Sequence, residues 1–204
     1  MQSLDLSTMI MFGGLLLLAG AVAGTMAGLL GVGGGMIIVP ILLYVFHLLG
    51  VDPSHSMHLA VGTSLSTIVV TSMMSVRAHN HRGSIDWFIV RSWIPWLVFG
   101  VLLGTGAAWY MDATGLKVVF GVMALMVAAW MVFAKEGYAI SEEPPSGIVR
   151  PLVASGIGCL STLIGIGGGT FTVPTLVMTS VEPRRAVGTA SAVGIFIAIP
   201  ATIG

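Results

Sequence analysis

Two glycine clusters carry the groups in this chain best placed to recognise a ligand. The first reads Gly28-Leu-Leu-Gly31-Val-Gly33-Gly34-Gly35-Met-Ile-Ile-Val-Pro40, and the second Leu163-Ile-Gly165-Ile-Gly167-Gly168-Gly169-Thr-Phe-Thr-Val-Pro174. Gly31, Gly33, Gly34, Gly35, Val39 and Pro40 recur at one constant offset as Gly165, Gly167, Gly168, Gly169, Val173 and Pro174. A glycine cluster inside an apolar run interrupts a helix and bares backbone N–H and C=O groups. In lipid such groups must be paired, buried in protein or turned to a wet cavity. Interruptions at matching places in two halves point to a transporter's binding site. Helix N-termini carry partial positive charge and free N–H donors, so half-helices starting near Gly35 and Gly169 suit a small oxyanion. A second repeated motif, Ala60-Val-Gly62-Thr63-Ser64 against Ala186-Val-Gly188-Thr189-Ala190-Ser191, could add hydroxyl donors, as could Ser66. The candidate substrate-binding residues are therefore Gly33, Gly34, Gly35, Thr63, Ser64, Gly167, Gly168, Gly169, Thr189 and Ser191. Close helix packing also uses Gly, Ser and Thr. Duplication favours binding for the clusters, whereas for any one hydroxyl packing is the simpler account.

Other chemistries fit less well. Neither cluster is followed by Lys-Ser or Lys-Thr, as a phosphate-binding loop requires, and Gly-x-Gly-x-x-Gly does not occur in register. His55-Ser-Met-His58 and His79-Asn-His81 are loosely spaced, lack a Cys or carboxylate cluster and lie at span ends, so they read as interfacial histidines rather than metal ligands. The lone Cys159 excludes an internal disulfide. The thirteen methionines read as packing or lipid-facing residues. No catalytic residue, metal or cofactor is expected. The eight acidic and eight basic residues all fall in loops, termini or span ends, whereas a cation pump usually needs a buried carboxylate.

The elements that must position the clusters follow from composition. Of 204 residues, 56% are hydrophobic and 8% charged, with formal net charge zero. A soluble domain carries about a quarter charged residues, so the chain is predicted to be an all-α, polytopic integral membrane protein. Zero net charge argues against a nucleic-acid partner. The start, Met1 to Thr8, has no Lys or Arg, unlike a secretory signal, so the first helix is expected to be retained. Spans are expected at Met9–Leu30, about His58–Val76, Trp87–Tyr110 and Gly115–Phe133, with polar loops at Gly50–Ser56 and Arg77–Asp86. Met36–Leu49 is short for a crossing and reads as a half-helix, a tilted span or the return limb of a hairpin. After the acidic, proline-containing stretch around Glu142-Glu143-Pro144-Pro145 come apolar runs at Leu152–Ile164, Thr170–Thr179 and Ala186–Ile203. Trp87, Trp109 and Tyr110 stand at span ends, where amphipathic rings prefer the headgroup level.

The repeats divide the chain into a first transmembrane repeat (1–138), a linker (139–150) and a second repeat (151–204). Nothing in the second matches His79–Phe133 of the first, so about two helices are expected to be missing and the chain reads as part of a longer one. Basic residues collect on the cytoplasmic side of short loops, which puts the Arg77–Arg82 and Arg184-Arg185 loops inside and Gly50–Met57 outside. Five apolar segments per half then start the second half on the opposite side, giving two inverted-topology repeats with Gly-broken helices.

The duplicated Gly-x-Gly-Gly-Gly…Val-Pro, the His58-Leu-Ala-Val-Gly62-Thr63-Ser64-Leu sequence and the His79–Trp87 loop resemble the sulfite exporter TauE/SafE family. That resemblance covers nearly the whole chain. It implies a multi-pass inner-membrane protein of two homologous halves that moves sulfite, sulfonates or other sulfur-containing organic anions. Arg185 and Ala190 stand where the first half has His58 and Ser64, so the half-sites are not identical. The expected function is secondary transport of a small sulfur-containing anion across the cytoplasmic membrane, with the lipid bilayer as partner and homo-oligomerisation left open. The alternatives are a membrane-embedded enzyme using Ser64 with a histidine, and a non-transporting assembly subunit.

Overall fold

The computed structural model describes residues 34–133 and 144–204, with Ser141 and scattered positions between 13 and 25. Most of the span expected over Met9–Leu30, and the first glycine cluster as far as Gly33, lie outside the described residues. Among those described are seven α-helices and no strand. They are α1 (Gly35–Leu48), α2 (Pro53–His81), α3 (Trp87–Tyr110), α4 (Ala113–Phe133), α5 (Val149–Ile164), α6 (Gly169–Val177) and α7 (Pro183–Ile203). Four of them, α2, α3, α4 and α7, are long and apolar enough to cross a membrane.

Helix α2 is longer at both ends than the span expected over His58–Val76, for local reasons. Asp52 accepts from the Ser54 N–H at 2.8 Å, and Pro53 occupies the first helical position. A capping Asp followed by Pro is a strong helix start, because proline's missing N–H is one the first turn would leave unpaired anyway. Those two bonds from Ser54, backbone and hydroxyl, hold the Asp52 carboxyl below its ordinary pKa. At the other end the expected loop from Arg77 is helical through His81. The Gly83 N–H returns to the Asn80 carbonyl at 3.0 Å and the Ser84 N–H to His79 at 3.1 Å. This closure satisfies the last carbonyls, and the Arg and His residues there suit the negative end of the helix dipole.

The helices share two ends. At one, hereafter end A, the α1–α2 turn meets the α3–α4 turn and the last turn of α7. There the His58 imidazole lies 3.1 Å from the Ala108 carbonyl, and Gly204 packs on Thr105. At the other, end B, the α2–α3 turn meets the start of α7. The Asp86 N–H donates to Thr189 Oγ1 at 2.9 Å, and Arg185 pairs with Asp86 at 2.8 Å. Helices α5 and α6 do not run from end to end. Both have their open ends at end B, where the Ser141 N–H donates to the Met178 carbonyl and Trp130, Leu152 and Met178 lie together. They form a hairpin whose tip is the second glycine cluster.

The core runs through α3, where Trp93, Leu97 and Val101 are buried against α5. Close approach there needs small residues on both sides. A Cβ on Gly100 would strike the Ser155 carbonyl, one on Gly158 the Leu97 carbonyl, and one on Gly104 would lie 2.6 Å from the Cys159 carbonyl. Backbone approach of this kind is how membrane helices associate without a hydrophobic driving force between them. The outer faces are apolar too, with Phe88 82%, Leu125 73% and Leu152 71% exposed. In water a face of this size would drive association; in a bilayer it meets acyl chains.

The glycine contact makes a direct prediction. Gly100→Ala forces backbone against backbone and is expected to cost about 1–3 kcal/mol, the range for overpacking. Gly106→Ala on the same helix meets nothing within 4 Å and is expected to be neutral or stabilising. Thermal unfolding in detergent compares them, and equal melting temperatures would contradict the packing described.

Candidate functional site

Helix α5 stops inside the protein because Gly165 takes a left-handed conformation, φ 69° and ψ 32°. The Ile166 N–H returns to the Ser161 carbonyl at 2.9 Å and the Gly165 N–H to Thr162 at 3.3 Å, satisfying two of the last carbonyls. The chain then turns again at Gly168, φ 73°, whose carbonyl accepts from Thr172 at 2.8 Å and opens α6. Two positive-φ positions within four residues cost little only with glycine. The N–H groups of Gly167 and Gly169 have no partner among the described residues.

Three other elements converge on this turn. The Ser64 hydroxyl, on fully buried α2 backbone, donates to the Gly165 carbonyl at 2.8 Å. On α7, Gly194 sits against the Gly167 carbonyl, where an added Cβ would lie at 2.7 Å. From α1, Gly35 packs directly on the Gly165 carbonyl and, for an added Cβ, 2.9 Å from Ile166 Cα. The start of α1 therefore lies against the turn that opens α6. Val61 and Ile68 of α2 (Pro53–His81) flank the same turn, so the meeting point lies inside the span, away from both ends.

The sequence candidates thus separate. Gly35, Ser64, Gly167, Gly168 and Gly169 come together, with Gly34 one step away as the N-cap of α1. Gly33 lies outside the described residues. Thr63 is exposed. Thr189 is buried at end B, where its hydroxyl accepts from Asp86, and Ser191 donates to its own helix at the Gly188 carbonyl, 2.7 Å away. Ser66, exposed, likewise donates to Gly62.

Sequence reading passed over two further hydroxyls. Ser161 and Thr172 are fully buried, and neither Ser161 Oγ nor Thr172 Oγ1 has a hydrogen-bond partner among the described residues. Several other helical hydroxyls here bond a carbonyl one turn back, as Thr162 does to Gly158, Thr175 to Phe171 and Thr202 to Ala198. Ser161 stands one turn before Gly165, and Thr172 lies in the first turn of α6. Their position around the glycine cluster was the available signal.

Two cavities approach the turn from different sides. One of about 610 Å³ at end A is lined by His58, Thr105 and Asp112 and reaches Val61, Leu65 and Thr162. The other, about 410 Å³ and apolar, lies between α4, α5 and α6, lined by Met123, Trp130, Leu160, Thr170, Phe171 and Met178. Among the described residues no three His, Cys, Asp or Glu side chains group to hold a metal ion.

Over residues 16–204 the chain matches the family described as Sulfite exporter TauE/SafE. The chain belongs to that family. A probable membrane transporter protein of Haemophilus influenzae is 33% identical over 188 residues, covering 91% of this chain and 70% of the relative. One of Methanocaldococcus jannaschii is 32% identical over 176 residues, 85% of this chain and 64% of the relative. One of Xylella fastidiosa is 30% identical over 187 residues, 87% of this chain and 68% of the relative. The matches thus span about two thirds of these relatives' own lengths. No solved structure matches the chain. As a TauE/SafE family member with four apolar spanning helices, the protein is a multi-pass membrane protein.

The bond from Ser64 to the turn is testable on its own. Ser64→Ala leaves a buried carbonyl unpaired and is expected to cost about 1–3 kcal/mol. Ser66→Ala, at an exposed and locally bonded hydroxyl, should stay within about 0.5 kcal/mol of the parent. Denaturant titration in detergent reads both, and a neutral Ser64→Ala would show that the bond carries no stability.

Proposed function

We propose that the protein is a secondary transporter of small sulfur-containing anions, sulfite and organosulfonates among them, acting across the cytoplasmic membrane. Its binding site is the place where the starts of α1 and α6 meet. The observation that carries this reading is the contact of Gly35 with the Gly165 carbonyl. It sets the start of α1 on the turn that opens α6 four residues later, and each helix start is an electropositive terminus suited to an anion. From that point α1 leads to end A and α6 to end B.

The opposite directions of α1 and α6 support the two-repeat division and its inversion. So do α2, which starts at end A, and α7, which starts at end B. Between α1 and α5 the chain crosses three times, an odd number, and α5 accordingly starts at end B. Arg77, Arg82, Arg150, Arg184 and Arg185 gather at end B, against Lys117 near end A, which by the basic-residue rule makes end B cytoplasmic.

Access is asymmetric in this conformation. The cavity of about 610 Å³ runs from end A as far as Val61, Leu65 and Thr162, in the last turn of α5 before Gly165. End B is closed by the Asp86–Arg185 pair, by Thr189, and by Gly188, where an added Cβ would strike the Ser84 carbonyl. Transport then consists of rocking one half against the other, which opens end B as end A closes around the site. An enzyme reading draws no support from Ser64, whose hydroxyl is committed to the Gly165 carbonyl.

Proteoliposomes holding the protein with its second repeat completed are expected to take up labelled sulfite saturably. Gly35→Leu, which places a side chain on the Gly165 backbone, and Gly168→Leu, at φ 73° with Ile197 Cδ1 only 2.5 Å from an added Cβ, should reduce uptake to background while still inserting. Gly34→Ala meets only the tip of Ile38 at 3.3 Å and should be tolerated. Normal uptake in both leucine variants would overturn the site, and no sulfite uptake by the parent would overturn the substrate class.

A further inference from the structure

Ser161 and Thr172 stand on either side of the glycine turn with their backbones bonded into it. The Ser161 carbonyl accepts from Ile166 at 2.9 Å, and the Thr172 N–H donates to Gly168 at 2.8 Å. Both residues are fully buried, and both hydroxyls lack a partner among the described residues. A buried hydroxyl without a partner carries a desolvation penalty, and an apolar side chain of the same shape would avoid it. Each also forgoes the bond to its own helix that nearby Thr162 and Thr175 make. Two such losses around one turn, beside the unpartnered N–H groups of Gly167 and Gly169, describe a set of donors without an acceptor.

We propose that Ser161 Oγ and Thr172 Oγ1 donate hydrogen bonds to the oxygens of the transported anion, and that the site takes singly charged oxyanions and rejects doubly charged ones. This inference rests on the reading of the glycine turn as the transport site. The missing acceptor must supply lone pairs, as an oxyanion does. The charge limit follows from what surrounds the turn. All sixteen charged side chains lie outside Met26–Pro40 and Gly156–Pro174, and none of those described lines the turn. Among the described residues the turn meets dipoles and hydroxyls but no cation. The cost of taking an ion out of water grows with the square of its charge. Donors that hold a monoanion therefore fall short for a dianion of the same size. The polar contribution is also one-sided: the constant offset between the clusters pairs Ser161 with Ala27 and Thr172 with Ile38. The Ser64 hydroxyl that α2 brings to the turn is committed to the Gly165 carbonyl, which leaves Ser161 and Thr172 as the unpartnered hydroxyls there.

The test measures uptake of labelled methanesulfonate by proteoliposomes of the full chain, with sulfate as competitor, beside melting of the ligand-free protein in detergent. Ser161→Ala and Thr172→Val are each expected to raise KM roughly ten- to a hundredfold, the worth of one hydrogen bond to a charged group. Both should melt at or above the parent temperature, since each removes a buried polar group that has no partner. Thr172→Ser should keep most of the parent's KM. Excess sulfate should leave methanesulfonate uptake unchanged. Parent-like KM in both variants, or lower melting with unchanged KM, would assign the hydroxyls a packing role and overturn the proposal. Sulfate competing as well as unlabelled methanesulfonate would overturn the charge limit, and absence of methanesulfonate uptake by the parent would overturn both. Gly168→Leu separates the levels. If it abolishes uptake while the hydroxyl variants behave as the parent, only this inference falls; if it transports normally, the site itself is wrong.

Discussion

A helix that stops halfway through an apolar slab leaves backbone groups that neither lipid nor water can satisfy, and the architecture around Gly165 answers that constraint. The turn closes two carbonyls on itself, at Ser161 and Thr162. The carbonyl left over, at Gly165, is met by the Ser64 hydroxyl from α2 and by the backbone of α1 at Gly35. Gly194 on α7 covers the next one, at Gly167. Each approaching element presents its smallest residue or a short hydroxyl, because any larger group would hold the backbones apart. The helix starts are brought together by the need to bury this polar backbone, and their positive ends converge as a consequence.

From that convergence the two-ended layout follows. Since α6 turns back toward end B, α5 and α6 span only part of the height, and the long helices α2 and α7 must enclose the tip. They do so with glycine and small residues at the tip and ordinary apolar packing elsewhere. The same arrangement leaves the site reachable along the helix ends. A cavity can extend from His58 and Asp112 down to Thr162 without disturbing the spans, and a few contacts at Ser84, Asp86, Thr189 and Arg185 suffice to close the opposite end. The partly exposed Asp86–Arg185 pair contributes little energy of its own.

Much of this was legible in the residues. Apolar length announced α3 to the residue, and glycine clustering located the stop at Ile164 and the restart at Gly169. Polar composition misled at α2. Arg77, His79 and His81 read as loop, but a helix may carry basic residues in its last turn, and the stop lies at Gly83. The Asp52-Pro53 start was available and was subordinated to the turn-forming character of the segment around it. The hydroxyls divided by rotation about the helix axis. Ser64 faces the turn, whereas Thr63, adjacent in sequence, points outward, and Thr189 reaches the α2–α3 turn at end B instead. A repeat motif identifies equivalent positions, but it does not say that equivalent positions meet the same neighbours.

The same difference between equivalent positions shows beside the two glycine clusters. The two clusters keep the same glycines, valine and proline, which are the residues that stop a helix and restart it. They differ at the side chains beside those stops: hydroxyls at Ser161 and Thr172 against Ala27 and Ile38, and, in the second motif, Ser64 against Ala190. A hydroxyl at Ser64 can be structural because it binds backbone across the interface. The hydroxyls at Ser161 and Thr172 meet no backbone acceptor, so the stability of the fold gives no reason to retain them. Positions where the fold would be at least as stable with an apolar residue are where binding requirements become visible in a single structure. Among the described residues two of three such hydroxyls, Ser161 and Thr172, flank one turn, beside N–H groups that also await an acceptor, and the third, Thr105, lies at end A.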